Sequence, residues 1–201
     1  MIVTISNQYG SGAIAVAEQA ARELGYEFVD SQLPVVVAKR IGITPEEATA
    51  ADETGRSLGS RLLASMELAT PELASNALRA NFDDEYIREV QGAVREYAAH
   101  GNVFIVGRGG SLILGRRPDV MRVFMHAPRE WRIEKIAEGL GIDLRAATAE
   151  VERVDKARIA HLRDWYAAEF GNPEIYDLSI DTSTFGARSA ELIVTAVRRH
   201  S

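Results

Sequence analysis

The sequence predicts a three-layer α/β/α fold in which helices cover both faces of a five-stranded parallel sheet. Short β-branched runs alternate with longer helical patterns, an order typical of parallel strands joined by helical crossovers. Two of these runs, residues 103–106 and 121–125, are continuously apolar, as expected for strands that are covered on both faces. The first β-branched run of the chain, residues 2–6, leads through a glycine-containing loop into a helix.

The elements follow in a regular order. Residues 2–6 predict the first strand, and the helix Ala13–Leu24 is expected to end at Gly25, because glycine readily adopts the left-handed conformation that closes a helix. Residues 27–30 and 178–180 predict the second and fifth strands. The later helices are predicted over residues 83–100, 128–140, 144–170 and 188–199.

Residues 34–80 have helical character but weak boundaries. Thr44 and Pro45 predict a helix start, with threonine as the cap and proline in the first turn. The polar residues 52–59 predict a mobile connection, and the apolar stretch 58–68 could pair two chains in a homodimer.

Composition limits the classes of function. The 201 residues, with 46% hydrophobic and 26% charged side chains, suit one soluble domain. A net charge of −6 argues against a nucleic-acid partner, and the lack of cysteine excludes disulfides and thiolate metal sites. No leader or long apolar segment is visible, so a cytoplasmic protein without membrane contact is predicted. No metal site of the protein's own is predicted.

A glycine-containing loop joins the first strand to the first helix. Gly10, Ser11, Gly12 and the amide of Ala13 could hold phosphate, since glycines let backbone N–H groups approach an anion and a helix N-terminus favours negative charge. The lysine and hydroxyl residue of the Walker pattern are replaced by Ala13 and Ile14. The loop therefore predicts phosphate binding through the backbone alone; the alternative is an ordinary strand-to-helix turn.

Several segments, in the same order along nearly the whole chain, resemble the cytidylate-kinase-like proteins of the P-loop nucleoside monophosphate kinase superfamily. The weakest stretch is residues 34–80. The matching segments are residues 4–12, 24–30, 103–109, 123–127 with 130–132, Asp155 with Arg158, and residues 175–182.

The resemblance implies a P-loop NTPase-type fold and phosphoryl transfer from ATP, bound with Mg²⁺, to a nucleoside monophosphate such as CMP or dCMP. It also implies a single domain over residues 1–201, with a helical acceptor-binding insertion at about 31–100 and a lid at about 142–172. The family usually has arginine where this chain has Asn7 and Ile14, so slow turnover is expected.

Two arginines are predicted to be catalytic. Arg108 follows the third strand, where its planar guanidinium would suit an acceptor phosphate; the alternative is a surface arginine that closes the strand. Arg158 continues an apolar helical stripe, so its charge must be paired, with Asp155 for example, or must point into a cleft and meet the transferred phosphate. The stripe consists of Val151, Val154, Leu162 and Trp165.

Asp30, Arg132 and Asp155 complete the predicted substrate-binding set, together with Arg108. Asp30 ends the second strand and would contact the acceptor, or else cap the next helix. Arg132 lies on a helix of mixed charge, where solvation is the alternative. Two other functions compete with a kinase: a nucleotide-binding sensor or scaffold that does not catalyse, and a domain that binds no nucleotide and acts through a partner.

Overall fold

The computed structural model describes residues 1–30, 32–42 and 76–200. Its sheet has five parallel strands in the order β2-β3-β1-β4-β5, so the predicted sheet is confirmed. The strands are β1 (Ile2–Asn7), β2 (Glu27–Val29), β3 (Val103–Val106), β4 (Val120–His126) and β5 (Leu178–Asp181).

Helices join the strands and cover both faces of the sheet. They are α1 (Ala13–Leu24), α2 (Gln32–Ile41), α3 (Asn76–His100), α4 (Gly110–Leu114), α5 (Arg129–Leu140), α6 (Leu144–Tyr166), α7 (Thr182–Phe185) and α8 (Arg188–His200), with a 3₁₀ turn at Pro173–Ile175. In the described ranges, no helix is both long enough and apolar enough to cross a membrane.

The central strand β1 pairs with β3 on one side and β4 on the other, with Ile2 level with both Val103 and Val120. The connection from β1 runs towards β2, whereas the connection from β3 runs to the opposite side, towards β4. Ligands of open α/β sheets bind beyond the carboxyl ends of strands where such connections diverge. The topology therefore predicts a ligand site at the carboxyl end of β1.

Two hydrophobic cores lie on opposite faces of the sheet, as the continuously apolar strands predict. One packs the sheet against α1 and α8, and the other packs it against α2, α3 and α4. Within single strands the side chains alternate between the cores: Val3, Ile5, Phe104 and Val106 belong to the first, and Ile2, Val103 and Ile105 to the second.

Helix boundaries agree with the sequence at α1 and differ at α6. Helix α1 covers Ala13–Leu24 and ends at Gly25, which has φ 68°, as predicted. Helix α6 was expected to reach residue 170 but ends at Tyr166, because Ala167 adopts φ 49° and its amide bonds back to Arg163. The predictions at Thr44, Pro45 and residues 52–59 and 58–68 lie outside the described residues.

Candidate functional site

Three residues predicted from sequence come together at the carboxyl edge of the sheet. Asp30 follows β2, Arg108 follows β3, and Arg158 reaches the same edge from α6. The guanidinium groups of Arg108 and Arg158 both lower the pKa of the Asp30 carboxyl, so all three side chains lie within electrostatic reach of one another. The edge therefore combines two cations with one half-buried carboxylate.

Burial is the largest influence on Asp30 and raises its pKa above the ordinary value of 3.8, against the opposing effect of the two arginines. A carboxyl whose pKa is raised on folding stabilises the fold below its unfolded pKa, and this contribution is lost as the pH rises through the folded pKa. At neutral pH the ionised Asp30 thus lowers the free energy of unfolding.

Asp30→Asn is therefore expected to raise the free energy of unfolding at neutral pH, and to change it little at a pH below 3.8. Urea unfolding at a series of pH values measures the difference. Asp84→Asn, at an exposed position on α3, is the control. A stability difference between Asp30→Asn and wild type that does not depend on pH would contradict the burial argument.

The turn after β3 has an unusual backbone that fixes where Arg108 leaves the sheet. Gly107, Arg108 and Gly109 are consecutive left-handed residues, with φ 73°, 54° and 69°. A Cβ at Gly109 would lie 2.6 Å from Cε2 of Tyr166, whose hydroxyl donates to the Arg108 carbonyl over 3.4 Å. The left-handed conformation costs a non-glycine residue about 1–2 kcal/mol, and such strain is concentrated at functional sites.

Arg158 is held at the end of β1. One of its Nη1 hydrogens is donated to the carbonyl oxygen of Asn7 over 2.5 Å, and its guanidinium carbon lies 5.8 Å from the centroid of the Tyr9 ring. Burial lowers the pKa of Arg158 most, while Asp155 raises it and Arg108 lowers it. In the described part of the chain Arg158 forms no ion pair with Asp155, the pairing that the sequence left open.

Arg132 and Asp155 pair with each other, with Nη1 and Oδ2 separated by 2.7 Å. Arg132 also donates to the carbonyls of Tyr9, over 2.9 Å, and Ala127, over 3.1 Å. The other oxygen of Asp155 accepts the Tyr9 amide over 3.1 Å. This pair fastens the α5–α6 hairpin to the loop after β1. Its predicted role in substrate binding stays a prediction.

The glycine loop presents its backbone rather than a side chain. Gly10 and Gly12 have φ 77° and 73°. Ser11 is buried, and its hydroxyl finds no hydrogen-bond partner among the described residues. The Ser11 carbonyl accepts the Thr182 hydroxyl over 2.6 Å, which fixes the loop from the far edge of the sheet. The Ser11 amide donates to the Gln8 carbonyl over 3.3 Å, whereas the amides of Gly10, Gly12 and Ala13 have no acceptor within the described ranges, so these three can bind an anion.

Helix α5 packs closely on this loop. A Cβ at Gly10 would lie 2.9 Å from Cγ1 of Ile136 and 3.0 Å from the Arg132 carbonyl oxygen, so glycine is needed for this contact as well as for its positive φ. Tyr9 packs against the small hydrophobic cluster between α5 and α6, which includes Ile133 and Val151. Neither Tyr9 nor Thr182 was a predicted site residue.

Within the described ranges, no group of at least three histidine, cysteine, aspartate or glutamate side chains could hold a metal ion. At position 14, where the Walker pattern has a metal-ligating hydroxyl, Ile14 offers no ligand atom.

The fold is also found in solved structures of other proteins. The chain is similar over 98% of its length to 98% of a crystal structure of an uncharacterized protein from Eubacterium ventriosum, with a TM-score of 0.68 and 18% identity. It is also similar over its whole length to 94% of a shikimate kinase from Acinetobacter baumannii, with a TM-score of 0.53 and 13% identity. These likenesses confirm the predicted fold.

The chain belongs to the cytidylate kinase-like family, whose sequence model matches residues 2–184. It is 24% identical to a protein named cytidylate kinase from Natronomonas pharaonis over 196 residues, which cover 96% of this chain and 87% of that relative. The predicted family is thus confirmed, and a nucleoside monophosphate kinase-like role is supported at the level of the family.

Proposed function

We propose that this protein transfers the γ-phosphoryl group of ATP to a nucleoside monophosphate, with CMP or dCMP as the acceptor. The observation that carries the proposal is the convergence of Arg108, Arg158 and Asp30 at the carboxyl edge of the sheet, where β1 leads into the glycine loop. Phosphoryl transfer needs positioning and charge neutralisation more than a covalent participant, and these residues offer both.

Each group has one role in this proposal. The amides of Gly10, Gly12 and Ala13 bind the phosphates of the donor, and Arg108 binds the phosphate of the acceptor. An acceptor phosphate oxygen attacks the γ-phosphorus while the bond to the β–γ bridging oxygen breaks, giving a nucleoside diphosphate and ADP. Arg158 neutralises the charge on the group in transfer. Mg²⁺ arrives as part of the donor complex.

Turnover is expected to be slow, because Ala13 and Ile14 supply neither an ammonium group nor a metal ligand. Loss of one charge-stabilising group in such a site lowers the rate by roughly 10²–10³-fold. We propose a cytoplasmic location for the activity. We also propose nucleotides rather than nucleic acid as ligands, because a net charge of −6 disfavours a nucleic-acid partner. Cytosine selectivity is proposed from the similarity to proteins named cytidylate kinase.

The decisive experiment incubates the protein with ATP, Mg²⁺ and CMP, dCMP, UMP or AMP in turn, and quantifies nucleoside diphosphate and ADP by chromatography. CDP and ADP are expected in equal amounts, with CMP or dCMP as the best acceptor. The double variant Arg108→Ala/Arg158→Ala, purified in parallel, controls for contaminating kinases. CDP formation by the wild type no faster than by the double variant would exclude the kinase.

A nucleotide-binding sensor is the second candidate. The observation that favours it is the Arg132–Asp155 pair, which ties a cation of the α5–α6 hairpin to the loop backbone instead of leaving it for a ligand. Calorimetric binding of ATP or CMP without product would support the sensor. If no nucleotide changes the melting temperature or gives a heat of binding, the remaining alternative is a domain that acts through a partner.

A further inference from the structure

We propose that Tyr9 is a positioning residue whose ring holds the guanidinium of Arg158 beside the glycine loop, so that Arg158 supplies the charge that a loop lysine would otherwise supply. The inference rests on the proposed function and adds a residue to it. It starts from the contact between the two side chains, in which the guanidinium carbon lies 5.8 Å from the centre of the ring.

The backbone of Tyr9 is fixed from both sides. Its amide donates to Asp155 over 3.1 Å, and its carbonyl accepts from Arg132 over 2.9 Å. Its ring packs against the apolar cluster between α5 and α6, which includes Ile133 and Val151. Because the backbone of Tyr9 is fixed and its ring is packed, the ring has little freedom to turn. It can therefore define the position of a group that lies against it.

Arg158 is suited to being held in this way. A planar guanidinium is attracted to the face of an aromatic ring, and the attraction grows when both groups are removed from water. In the described part of the chain, Arg158 donates one hydrogen bond, to the carbonyl of Asn7 over 2.5 Å. The remaining N–H groups of Arg158 therefore stay available for an anion at the carboxyl edge.

This arrangement compensates for the loop lysine of the Walker pattern, whose position is occupied by Ala13. A loop lysine carries its charge with the loop, whereas Arg158 belongs to α6, more than a hundred residues away in sequence. Tyr9 lies on the loop itself, so contact between its ring and Arg158 places the charge when the α5–α6 hairpin is docked. The loop thereby sets the position of the cation without carrying it.

The test compares Tyr9→Phe, which keeps the ring, with Tyr9→Leu, which removes it but preserves an apolar side chain. Tyr9→Leu is expected to lower kcat by about 3- to 30-fold, the range for a cation–π contact. Tyr9→Phe is expected to stay close to wild type, and the KM for CMP to be unchanged in both. The matched control is Tyr26→Leu, a half-buried tyrosine that contacts Phe104.

A double-mutant cycle separates positioning from general structural damage. In an Arg158→Leu background, Tyr9→Leu should cause no further loss of kcat, because the group that the ring positions is already absent. Equal fold losses of kcat in both backgrounds would overturn the proposal, as would a Tyr9→Phe variant as impaired as Tyr9→Leu. If Tyr9→Leu does not fold, Tyr9→Met replaces it in both arms.

Binding measurements distinguish a failure of the Tyr9 proposal from a failure of the proposed kinase function. If the wild type forms no CDP, calorimetric affinities for ATP with Mg²⁺ are measured on the same four proteins of the cycle. A loss of affinity on Tyr9→Leu that disappears in the Arg158→Leu background still supports the Tyr9 proposal, and additive losses overturn it. A wild type that neither turns over nor binds nucleotide removes both proposals together.

Discussion

Arg108→Ala is expected to lower kcat/KM for the monophosphate acceptor by roughly 10²–10³-fold, mostly through a higher KM. Arg108 leaves the sheet from a turn of consecutive left-handed residues, and Asp30 lies within its electrostatic reach. A phosphate bound there would lose a charged, bidentate partner. Initial rates at varied CMP, together with calorimetric CMP affinity, measure the effect.

Two companion variants separate binding from stability. Arg117→Ala removes an exposed arginine that pairs with Asp119, and should leave the kinetics unchanged. Arg108→Gly removes the same guanidinium but relieves the left-handed strain. Its free energy of unfolding, measured with urea, should therefore be about 1 kcal/mol higher than that of Arg108→Ala, while its kcat/KM should be equally low. An acceptor affinity that Arg108→Ala leaves unchanged would show that Arg108 does not bind the acceptor.

The sequence could predict what short-range patterns determine. The bounds of α1 follow from a helical pattern that stops at a glycine, and the strands β3 and β4 follow from continuous apolar runs. The position of Arg158 was also predictable, since a charge within an apolar helical stripe must turn towards a cleft or a partner. Its neighbours Val151, Val154 and Leu162 are indeed buried.

Partners that are distant in the chain could not be predicted in the same way. Sequence spacing suggested that Asp155 pairs with Arg158, one helical turn away, but the structure pairs it with Arg132, 23 residues earlier, and with the amide of Tyr9, 146 residues earlier. The contact between Thr182 and Ser11 spans 171 residues. Such pairs depend on how α5, α6 and β5 pack, which local patterns do not specify.

Short elements escaped prediction for a related reason. Helix α4 has five residues and α7 has four, too few for a helical repeat to show in the sequence. Helix α7 begins directly after β5 and α4 begins after the three-residue turn that follows β3, so both lie at the carboxyl edge and shape the candidate site despite their length. Helix α7 places the Thr182 hydroxyl against the glycine loop, a role that no motif at that position indicates.

Asp155→Ala is expected to be the most destabilising of the substitutions considered, lowering the free energy of unfolding by about 2–3 kcal/mol and the melting temperature by about 5–10 °C. The substitution leaves Arg132, with a side chain 6% exposed, without its carboxylate, and removes the acceptor of the Tyr9 amide. A full buried-pair penalty of about 3–5 kcal/mol does not apply, because Asp155 itself is 20% exposed.

The control for this prediction is Asp164→Ala, which breaks an exposed pair with Arg163 on the same helix and should leave the melting temperature unchanged. Asp155→Asn should fall between wild type and Asp155→Ala, since an amide oxygen still accepts one hydrogen bond but carries no charge. Equal stability of Asp155→Ala and Asp164→Ala would mean that the pair does not fasten the hairpin to the loop. Arg132 would then be free to exchange its partner for a substrate group, as its predicted role in substrate binding requires.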